Sequence, residues 1–333
     1  MLDITLLRGD GIGPEVVDAT VIALEATGLK FNWERFELGA ATNGTLPDEV
    51  LESVRRNRLA LKGPTGTPVG TGHKSLNVRL RQELVLYANV RPVLSVPGVT
   101  TRYSNVDLII YRENVGGHYG GKERVEGDVA IGESIYTLGD CERFARYAYR
   151  DAIRRGRRKM TVVHKANVLK ETHGMFRRVA LEVAKEFPEI ETNELITDNF
   201  FHHLITNPNR LDCLLMTNLD GDYASDAAAA LVGGLGVAPG ANIGDKAAVF
   251  EAVHGTAPDI AGQGRANPTS LMLSGAMLLD HIGKPAEAGL LRRSLFGVIA
   301  TGACVTADIN PAVAATTAQF TDAVVRRMER LRA

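Results

Sequence analysis

Two aspartates four positions apart are the residues in this chain whose type and spacing first indicate chemistry. Asp222 and Asp226 lie in the stretch 218–226, which leads into an alanine-rich segment. On a helix that begins just before them, residues at i and i+4 project from the same face. Two carboxylates at that separation could hold a hard divalent cation, Mg²⁺ or Mn²⁺. A second reading stays open, in which Asp220, Asp222 and Ser225 only favour a helix start through capping and the helix dipole.

Charged side chains also recur where predicted strands end. In open α/β sheets ligands bind beyond the carboxyl ends of the strands, so this placement indicates a binding site. Arg81 and Arg91 flank a predicted helix end and add cations that suit a substrate with several carboxylates, because guanidinium groups pair with carboxylates through two hydrogen bonds. Each arginine alone reads as a surface residue, but the set together predicts a polycarboxylate site. The residues at strand ends are Lys62, Arg112, Lys165, Asp198 and Asp222.

The elements that must position these side chains alternate between strand and helix. This alternation predicts an α/β fold. Gly9, Gly11 and Gly13 follow the first predicted strand and precede a helix, but their spacing does not fit GxGxxG, so no Rossmann site is predicted. Strands are predicted at residues 4–7, 31–36, 59–63, 106–111, 160–164, 190–196, 211–216 and 248–251, and helices at 16–26, 48–56, 76–86, 141–155, 173–186 and 222–232, with a mostly helical carboxyl terminus.

Composition excludes several classes of protein. The 333 residues are 45% hydrophobic and 23% charged, with a net charge of −1, which gives no electrostatic case for nucleic acid or an anionic membrane as a partner. No apolar run reaches the roughly 18 residues of a membrane span, and the first residues do not read as a signal peptide. Cys141, Cys213 and Cys304 lack metal-site spacing and read as reduced thiols. A cytoplasmic protein is therefore expected.

Seven motifs, in order along almost the whole chain, resemble those of the β-decarboxylating dehydrogenases, the family of isocitrate, homoisocitrate, 3-isopropylmalate and tartrate/D-malate dehydrogenases. The resemblance implies a large open-sheet domain from residues 1–90 and 233–333, and a smaller α/β domain from residues 91–232 with an arm near 115–137 and dimer contacts. The motifs are LKGP (61–64), SLNVRLR (75–81), YANVRP (87–92), YREN (111–114), HKAN (164–167), NLDGDYASD (218–226) and EAVHGTAPDIAG (251–262).

The resemblance implies roles for the residues that hold and convert the substrate. Arg81, Arg91 and Arg112 correspond to the family's cationic clamp on the malate moiety. Tyr119 corresponds to the tyrosine that protonates the enol after decarboxylation; without the family pattern it would read as a packed aromatic. Lys165 corresponds to the lysine that helps to deprotonate the substrate hydroxyl during hydride transfer, and it is expected to come from the partner subunit.

The metal and the dimer follow from the same resemblance. Asp222 and Asp226 of one subunit, with Asp198 of the other, correspond to the ligands of Mg²⁺ or Mn²⁺, which would stabilise the enolate formed as CO₂ leaves. Because Lys165 and Asp198 would both come from the partner, the active unit is expected to be at least a homodimer with shared active sites.

The dinucleotide site implied by the family lies outside a Rossmann framework. The pair Asp259 and Ile260 resembles the members that use NAD, in which an acidic side chain accepts the free ribose hydroxyls and repels a 2′-phosphate. NAD is therefore the expected cofactor. The residues expected to bind it are Thr67, Glu251, His254, Gly255, Thr256, Ala257, Asp259, Ile260 and Asn267.

The far end of the substrate is less ordinary. Ser75 and Asn77 resemble the isocitrate pattern, in which short polar groups meet the γ-carboxylate, and this favours isocitrate. However, residues 115–118 read Val-Gly-Gly-His where the family usually has a hydroxyl and then an acidic side chain, and residues 306–311 depart from Thr-x-Asp-Leu-Gly-Gly. The chain is then either an isocitrate dehydrogenase that has drifted or a paralogue for an isocitrate analogue. A non-catalytic regulatory subunit is a third reading, although the clamp and metal residues are all retained.

Overall fold

One large mixed sheet organises the molecule, and helices cover both of its faces. The structure, a computed structural model, describes residues 1–66 and 75–332. The strands are β1 (Leu2–Leu7), β2 (Phe31–Phe36), β3 (Leu59–Lys62), β4 (Ala88–Leu94), β5 (Asp107–Glu113), β6 (Glu123–Glu126), β7 (Val129–Gly132), β8 (Lys159–His164), β9 (Glu191–Ile196), β10 (Cys213–Met216), β11 (Pro239–Ile243) and β12 (Ala248–Ala252).

The helices of the described residues alternate with these strands up to β10, except that β4 and β5, and β6 and β7, follow one another directly, and three consecutive helices end the chain. This arrangement confirms the predicted α/β class. The helices are α1 (Gly13–Glu25), α2 (Asp48–Asn57), α3 (Leu76–Glu83), α4 (Gly117–Gly120), α5 (Leu138–Arg154), α6 (Thr172–Ala184), α7 (Thr197–Thr206), α8 (Asn218–Leu231), α9 (Thr269–His281), α10 (Pro285–Thr301) and α11 (Thr317–Arg332).

Strand direction changes at the centre of the sheet. Its order is β2-β1-β3-β12-β11-β4-β5-β10-β8-β9. Strand β11 runs antiparallel to both of its neighbours and β4 runs antiparallel to β5, while the outer strands pair in parallel. The two parallel wings therefore point their carboxyl ends in opposite directions. The helices that follow β3 and β5, α3 and α4, nevertheless meet, because Gln82 of α3 donates a hydrogen bond to the Tyr119 carbonyl of α4.

The sequence patterns missed two of those central strands, β4 and β11. Strand β4 contains Pro92, which cannot donate a backbone hydrogen bond and normally argues against a central strand. The register explains why it is tolerated: β11 pairs with β4 only between Ala88 and Val90, so the edge of β4 at Pro92 faces no ladder on that side. Strand β11 begins with Pro239-Gly240, which reads as a turn rather than a strand.

The register places the predicted chemistry on one face of the sheet. Residues opposite one another on paired strands share a face, as do residues two apart on one strand. Lys62 pairs with Glu251, and Asn89 pairs with both Arg112 and Asn242. Helix α8 packs against β4 and β5, and its residues Asn218 and Gly221 contact Arg112. Helix α9 packs on β11 and β12.

The segment predicted as an arm carries a short hairpin. Helix α4 is followed by β6 and β7, which pair only with each other and are almost wholly exposed, including Val125 and Val129. The predicted division into domains is not marked by a break in the sheet, which is continuous from β2 to β9; that division stays a prediction. Within the described residues no helix combines the length and apolarity needed to cross a membrane.

Candidate active site

Four cations are buried at the centre of the site face. Lys62 ends β3, Arg81 lies on α3, Arg91 on β4 and Arg112 on β5, and all four are buried. Glu251 of β12 joins two of them: its carboxylate accepts a hydrogen bond from the Lys62 Nζ at 3.0 Å and from the Arg81 Nη2 at 2.9 Å. We call these four cations the cation cluster.

The four cations of the cluster have only two ion-paired carboxylates among the described residues, Glu251 and Asp222, and Arg91 bonds the amide of Asn89 instead. Burial would by itself raise the pKa of Glu251, but Lys62, Arg81 and Arg91 hold it far below its ordinary value. Burial, with repulsion from Arg112, lowers the pKa of Arg91 to about 10. The ion pairs therefore leave positive charge in the cluster without a partner in the described part of the chain. A ligand with several carboxylates would supply the missing anions, in the geometry that guanidinium groups recognise.

Asp222 borders the cluster at the first turns of α8. Its carboxylate accepts a hydrogen bond from Arg112 Nη1, and Arg112 also donates to Asn218 Oδ1 from Nε and Nη2, at 3.1 and 2.7 Å. A Cβ at Gly221 would stand 2.7 Å from the Arg112 side chain, so only glycine lets α8 approach this closely. The helix begins at Asn218, four residues before the predicted start. The NLDGD motif therefore forms its first turns rather than a preceding loop.

Tyr119 joins the site from α4. Its hydroxyl donates to Asp222 Oδ2 at 2.6 Å, its ring lies 5.1 Å from the Arg112 guanidinium carbon, and its backbone carbonyl accepts from Gln82 Nε2 at 3.1 Å. Burial and the hydrogen bond to Asp222 raise the pKa of the Tyr119 hydroxyl. The hydroxyl therefore stays protonated near neutral pH and can donate a proton where Asp222 holds it.

Asp226 completes the pair on α8. It is exposed, and desolvation by the surrounding protein followed by the charge of Asp222 raises its pKa, while Arg91 opposes the rise. Two carboxylates that repel each other on one helix face fit a divalent cation. However, nowhere in the described residues do three or more His, Cys, Asp or Glu side chains form a set that could hold a metal. One chain thus brings Asp222 and Asp226 together without the predicted third ligand.

That predicted third ligand, Asp198, is paired elsewhere. It lies in the first turn of α7 and accepts a hydrogen bond from the Lys165 Nζ, just beyond β8. Two histidines fix the loop around this lysine: His173 Nδ1 accepts the Lys165 backbone N–H at 3.0 Å, and His164 Nδ1 accepts that of Ala166 at 3.2 Å. Lys165 and Asp198 thus form a second charged unit on the wing that ends in β9.

The predicted dinucleotide loop lies beside the start of α1. The Thr256 carbonyl accepts the Ile12 N–H at 2.9 Å, and Ala257 adopts a left-handed backbone with φ 39°. His254 Nδ1 lies 2.9 Å from the Gly255 carbonyl and must donate to it, so the buried Nε2 is an acceptor; it has no partner among the described residues. A buried acceptor without a donor fits a ligand that brings an N–H or O–H group, and an adenine amino group is one.

The other predicted cofactor residues are placed as follows. Asp259 and Ile260 form a short 3₁₀ turn, with Asp259 exposed. Asn267 is buried, and its amide donates to Asp308 Oδ2 at 2.8 Å. The Glu251 carboxylate is directed to the cation cluster, so its predicted contact with the cofactor stays a prediction. Thr67 lies outside the described residues.

The predicted residues for the substrate's third arm lie at the start of α3. Ser75 is the N-cap residue, and Asn77 follows in the first turn. The Asn77 Oδ1 accepts a hydrogen bond from Thr65 Oγ1 at 2.9 Å, which ties α3 to the segment after β3. Both side chains thus belong to the same loop-and-helix unit that carries Arg81.

The unusual 115–118 segment is shaped by two residues to which the sequence patterns gave no role. Glu113 is buried, and its carboxylate accepts the N–H groups of Val115 at 2.9 Å and Gly116 at 2.9–3.0 Å. Asn218 Nδ2 donates to the Gly116 carbonyl at 3.2 Å. Gly117 has φ +64°, and a Cβ there would lie 3.2 Å from the Tyr136 hydroxyl. Glu113 lies in the motif YREN, and Asn218 lies in the motif NLDGDYASD. Their closeness in sequence to Arg112 and Asp222 could have indicated that they belong to the site.

Comparisons with known proteins give the family of this chain. The isocitrate/isopropylmalate dehydrogenase family model matches residues 3–324. The chain is 46% identical over 326 residues to mitochondrial isocitrate dehydrogenase (NAD) catalytic subunit 5 of Arabidopsis thaliana, covering 96% of this chain and 87% of the relative. It is 42% identical over 328 residues to a mitochondrial regulatory subunit of isocitrate dehydrogenase (NAD) from Dictyostelium discoideum, covering 98% of this chain and 91% of the relative.

A solved structure gives the same result in three dimensions. The crystal structure of isocitrate dehydrogenase from Methylococcus capsulatus superposes with a TM-score of 0.95 at 48% identity, covering 98% of this chain and 99% of that one. Matches of this length and identity do not arise from fold alone. The chain belongs to the isocitrate/isopropylmalate dehydrogenase family, the β-decarboxylating dehydrogenases.

Proposed function

We propose that this protein catalyses the metal-dependent oxidative decarboxylation of isocitrate with NAD, giving 2-oxoglutarate, CO₂ and NADH. The observation that carries the proposal is the cation cluster next to Asp222 and Tyr119. Buried cations in excess of carboxylates call for a polyanionic ligand, and Asp222 holds a tyrosine hydroxyl beside the same cluster. The relatives named as NAD isocitrate dehydrogenases support the choice of substrate and cofactor, and the Methylococcus capsulatus structure, named as an isocitrate dehydrogenase, supports the substrate.

The residues of the cluster would bind and orient the substrate. Arg81, Arg91 and Arg112 would pair with its carboxylates, and burial makes each pair stronger than it would be in water. Arg112 is held in place by Asn218, so it need not reorganise when the substrate binds. Positioning of this kind lowers the barrier because the reacting groups are already aligned.

Two residues would move protons. Lys165 of the partner subunit would take the proton of the substrate hydroxyl. The hydride would leave from the carbon that bears this hydroxyl. After the carboxylate leaves as CO₂, Tyr119 would return a proton to the carbon of the enol. The Tyr119 hydroxyl is protonated before the step, and Arg112 beside its ring would stabilise the phenolate left behind.

The cation and the dinucleotide supply the chemistry that the protein lacks. A bound Mg²⁺ or Mn²⁺ would polarise the hydroxyl and adjacent carboxylate and stabilise negative charge as CO₂ departs, and bound NAD would accept the hydride. Asp222 and Asp226 would hold the cation together with Asp198 of the partner subunit. The orphaned His254 Nε2 and exposed Asp259 would face the adenosine end of NAD.

Shared sites make a homodimer the simplest active unit. Lys165 and Asp198 bond to each other, and among the described residues Asp198 does not join Asp222 and Asp226 in one metal-binding group, as expected if they serve a neighbouring site. Relatives named as subunits leave a hetero-oligomer as the alternative. Because two of the compared relatives are named as mitochondrial, a cytoplasmic location stays a prediction.

Two other functions have specific support. An analogue of isocitrate as substrate is favoured by Val115–His118, since the segment beside Tyr119 lacks the usual acidic group. A regulatory role is favoured by the Dictyostelium relative. The retention of Arg112, Tyr119 and Asp222 in direct contact supports catalysis instead.

A substrate panel separates these functions. Purified protein is assayed with isocitrate, homoisocitrate, 3-isopropylmalate, malate, tartrate and phosphonomethylmalate, each with NAD or NADP and with Mn²⁺, Mg²⁺ or EDTA. We expect the highest kcat/KM for isocitrate with NAD, and no activity in EDTA. A higher kcat/KM for another acid would identify that acid as the substrate in place of isocitrate. No turnover by folded protein would favour the regulatory function.

A further inference from the structure

The glycine-rich loop after β1, residues 8–13, was not assigned a role by its sequence pattern. In the structure it touches two of the site's loops at once. The Asp10 N–H donates to the Pro64 carbonyl at 2.7 Å, and the Ile12 N–H donates to the Thr256 carbonyl at 2.9 Å. The 8–13 loop thus lies between the segment 63–66 and the predicted dinucleotide loop.

The glycines of this loop are required by close packing. Gly9 and Gly11 have φ of +74° and +58°, and a Cβ on either would stand about 2 Å from the Pro64 or Thr256 carbonyl oxygen. The spacing of Gly9 and Gly11 does not fit the dinucleotide-binding pattern GxGxxG. Two backbone contacts inside the protein explain why glycine is needed at both positions.

The side chain of Asp10 reinforces the same arrangement. Its Oδ1 accepts the Ala40 N–H at 2.7 Å and its Oδ2 accepts the Gly66 N–H at 2.8 Å. Gly39 has φ +96°, and a Cβ there would lie 2.0 Å from Asp10 Oδ2, so the carboxylate fills the space that glycine leaves. The Asp10 carboxylate thereby fixes Gly66 at the end of the segment 63–66. Thr65 of this segment donates a hydrogen bond to Asn77, which connects the segment to α3.

We propose that Asp10 is a positioning residue of the dinucleotide site. Its carboxylate holds the segment 63–66 in a fixed position relative to the loop 254–257. The inference rests on the proposed function, in which the adenosine end of NAD lies at His254 and Asp259. Hydride transfer requires the nicotinamide end to reach the substrate at the cation cluster. The segment 63–66 follows directly after Lys62 of that cluster. A ligand that spans both loops depends on their relative position, whereas one that touches only the 254–257 loop does not.

The test compares NADH with ADP-ribose, which lacks the nicotinamide. In Asp10→Asn the amide oxygen can accept only one of the two N–H groups, and the amide nitrogen faces the other donor. We expect the NADH Kd, measured by calorimetry, to rise about five- to tenfold, because one charge-assisted hydrogen bond is lost at a partly exposed site. The ADP-ribose Kd should change less than about twofold. Gly39→Ala keeps the charge but displaces the carboxylate, and should give the same split.

Asp3→Asn is the matched control. Asp3 lies on β1 outside the 8–13 loop, and its carboxylate accepts a hydrogen bond from Asn32 Nδ2 at 2.8 Å on the surface. This variant should bind both ligands as the wild type does. Equal weakening of NADH and ADP-ribose in folded Asp10→Asn and Gly39→Ala would show a merely structural role, and unchanged NADH binding would show none; either overturns the inference. A wild type that binds neither ligand would instead overturn the proposed function.

Discussion

Replacing Glu251 by glutamine tests whether the cation cluster is electrostatically poised for a polyanion. Glu251 is the carboxylate bonded to Lys62 and Arg81, and the side chains of all three are at most 10% exposed. Removing one partner of a buried ion pair costs about 3–5 kcal/mol, since the remaining charge stays buried without compensation. Because glutamine keeps one acceptor, we expect the free energy of unfolding to fall by about 3 kcal/mol, the lower end of that range.

The assay is urea denaturation with and without citrate, a tricarboxylate whose tertiary hydroxyl cannot be oxidised. Because citrate would supply the missing anion, it should stabilise Glu251→Gln more than the wild type. Glu186→Gln is the control: Glu186 bonds Arg146 on the surface, where such a pair contributes about 1 kcal/mol or less. A Glu251→Gln protein as stable as Glu186→Gln, and no more responsive to citrate than the wild type, would refute the reasoning.

Three further predictions follow from the site. Mixing inactive Asp222→Asn and Lys165→Met proteins, with subunit exchange, should restore about a quarter of wild-type activity, since half the dimers are mixed and each has one intact shared site; no recovery would place each site within one chain. Burial lowers the pKa of His173, so the folded protein binds fewer protons and stability is lost as pH falls below about 6.5; His173→Asn should flatten the slope of melting temperature between about pH 7.5 and 5.5, and an unchanged slope would contradict this account of His173. Asp259→Lys should raise the ratio of kcat/KM for NADP over NAD by about tenfold or more, and an unchanged ratio would remove Asp259 from cofactor selection.

Much of the site's geometry follows from simple sequence rules. Arg112 and Asp222 meet because Arg112 lies at the carboxyl end of β5 and Asp222 follows the carboxyl end of β10, and the carboxyl ends of paired parallel strands lie together. The four-residue spacing of Asp222 and Asp226 needs only a helix, which α8 provides.

Other features depended on pairing that no local pattern encodes. Glu251 reads as part of the cofactor loop, but its register with Lys62 places its carboxylate under the cation cluster. The role of Asp10 depends on Gly66 and Ala40, residues far away in sequence. Asp198 is predicted to meet Asp222 only in a second subunit, so no single-chain reasoning from propensity or periodicity could place it.

The central claim is metal-dependent oxidative decarboxylation, and product stoichiometry tests it most directly. Isocitrate labelled with ¹³C at the carboxylate that leaves is incubated with NAD and Mn²⁺, and NADH, labelled CO₂ and 2-oxoglutarate are measured together. We predict equimolar amounts of the three products for the wild type, and no product from folded Asp222→Asn or from protein treated with EDTA. NADH formed without labelled CO₂, or full activity without metal, would contradict the account.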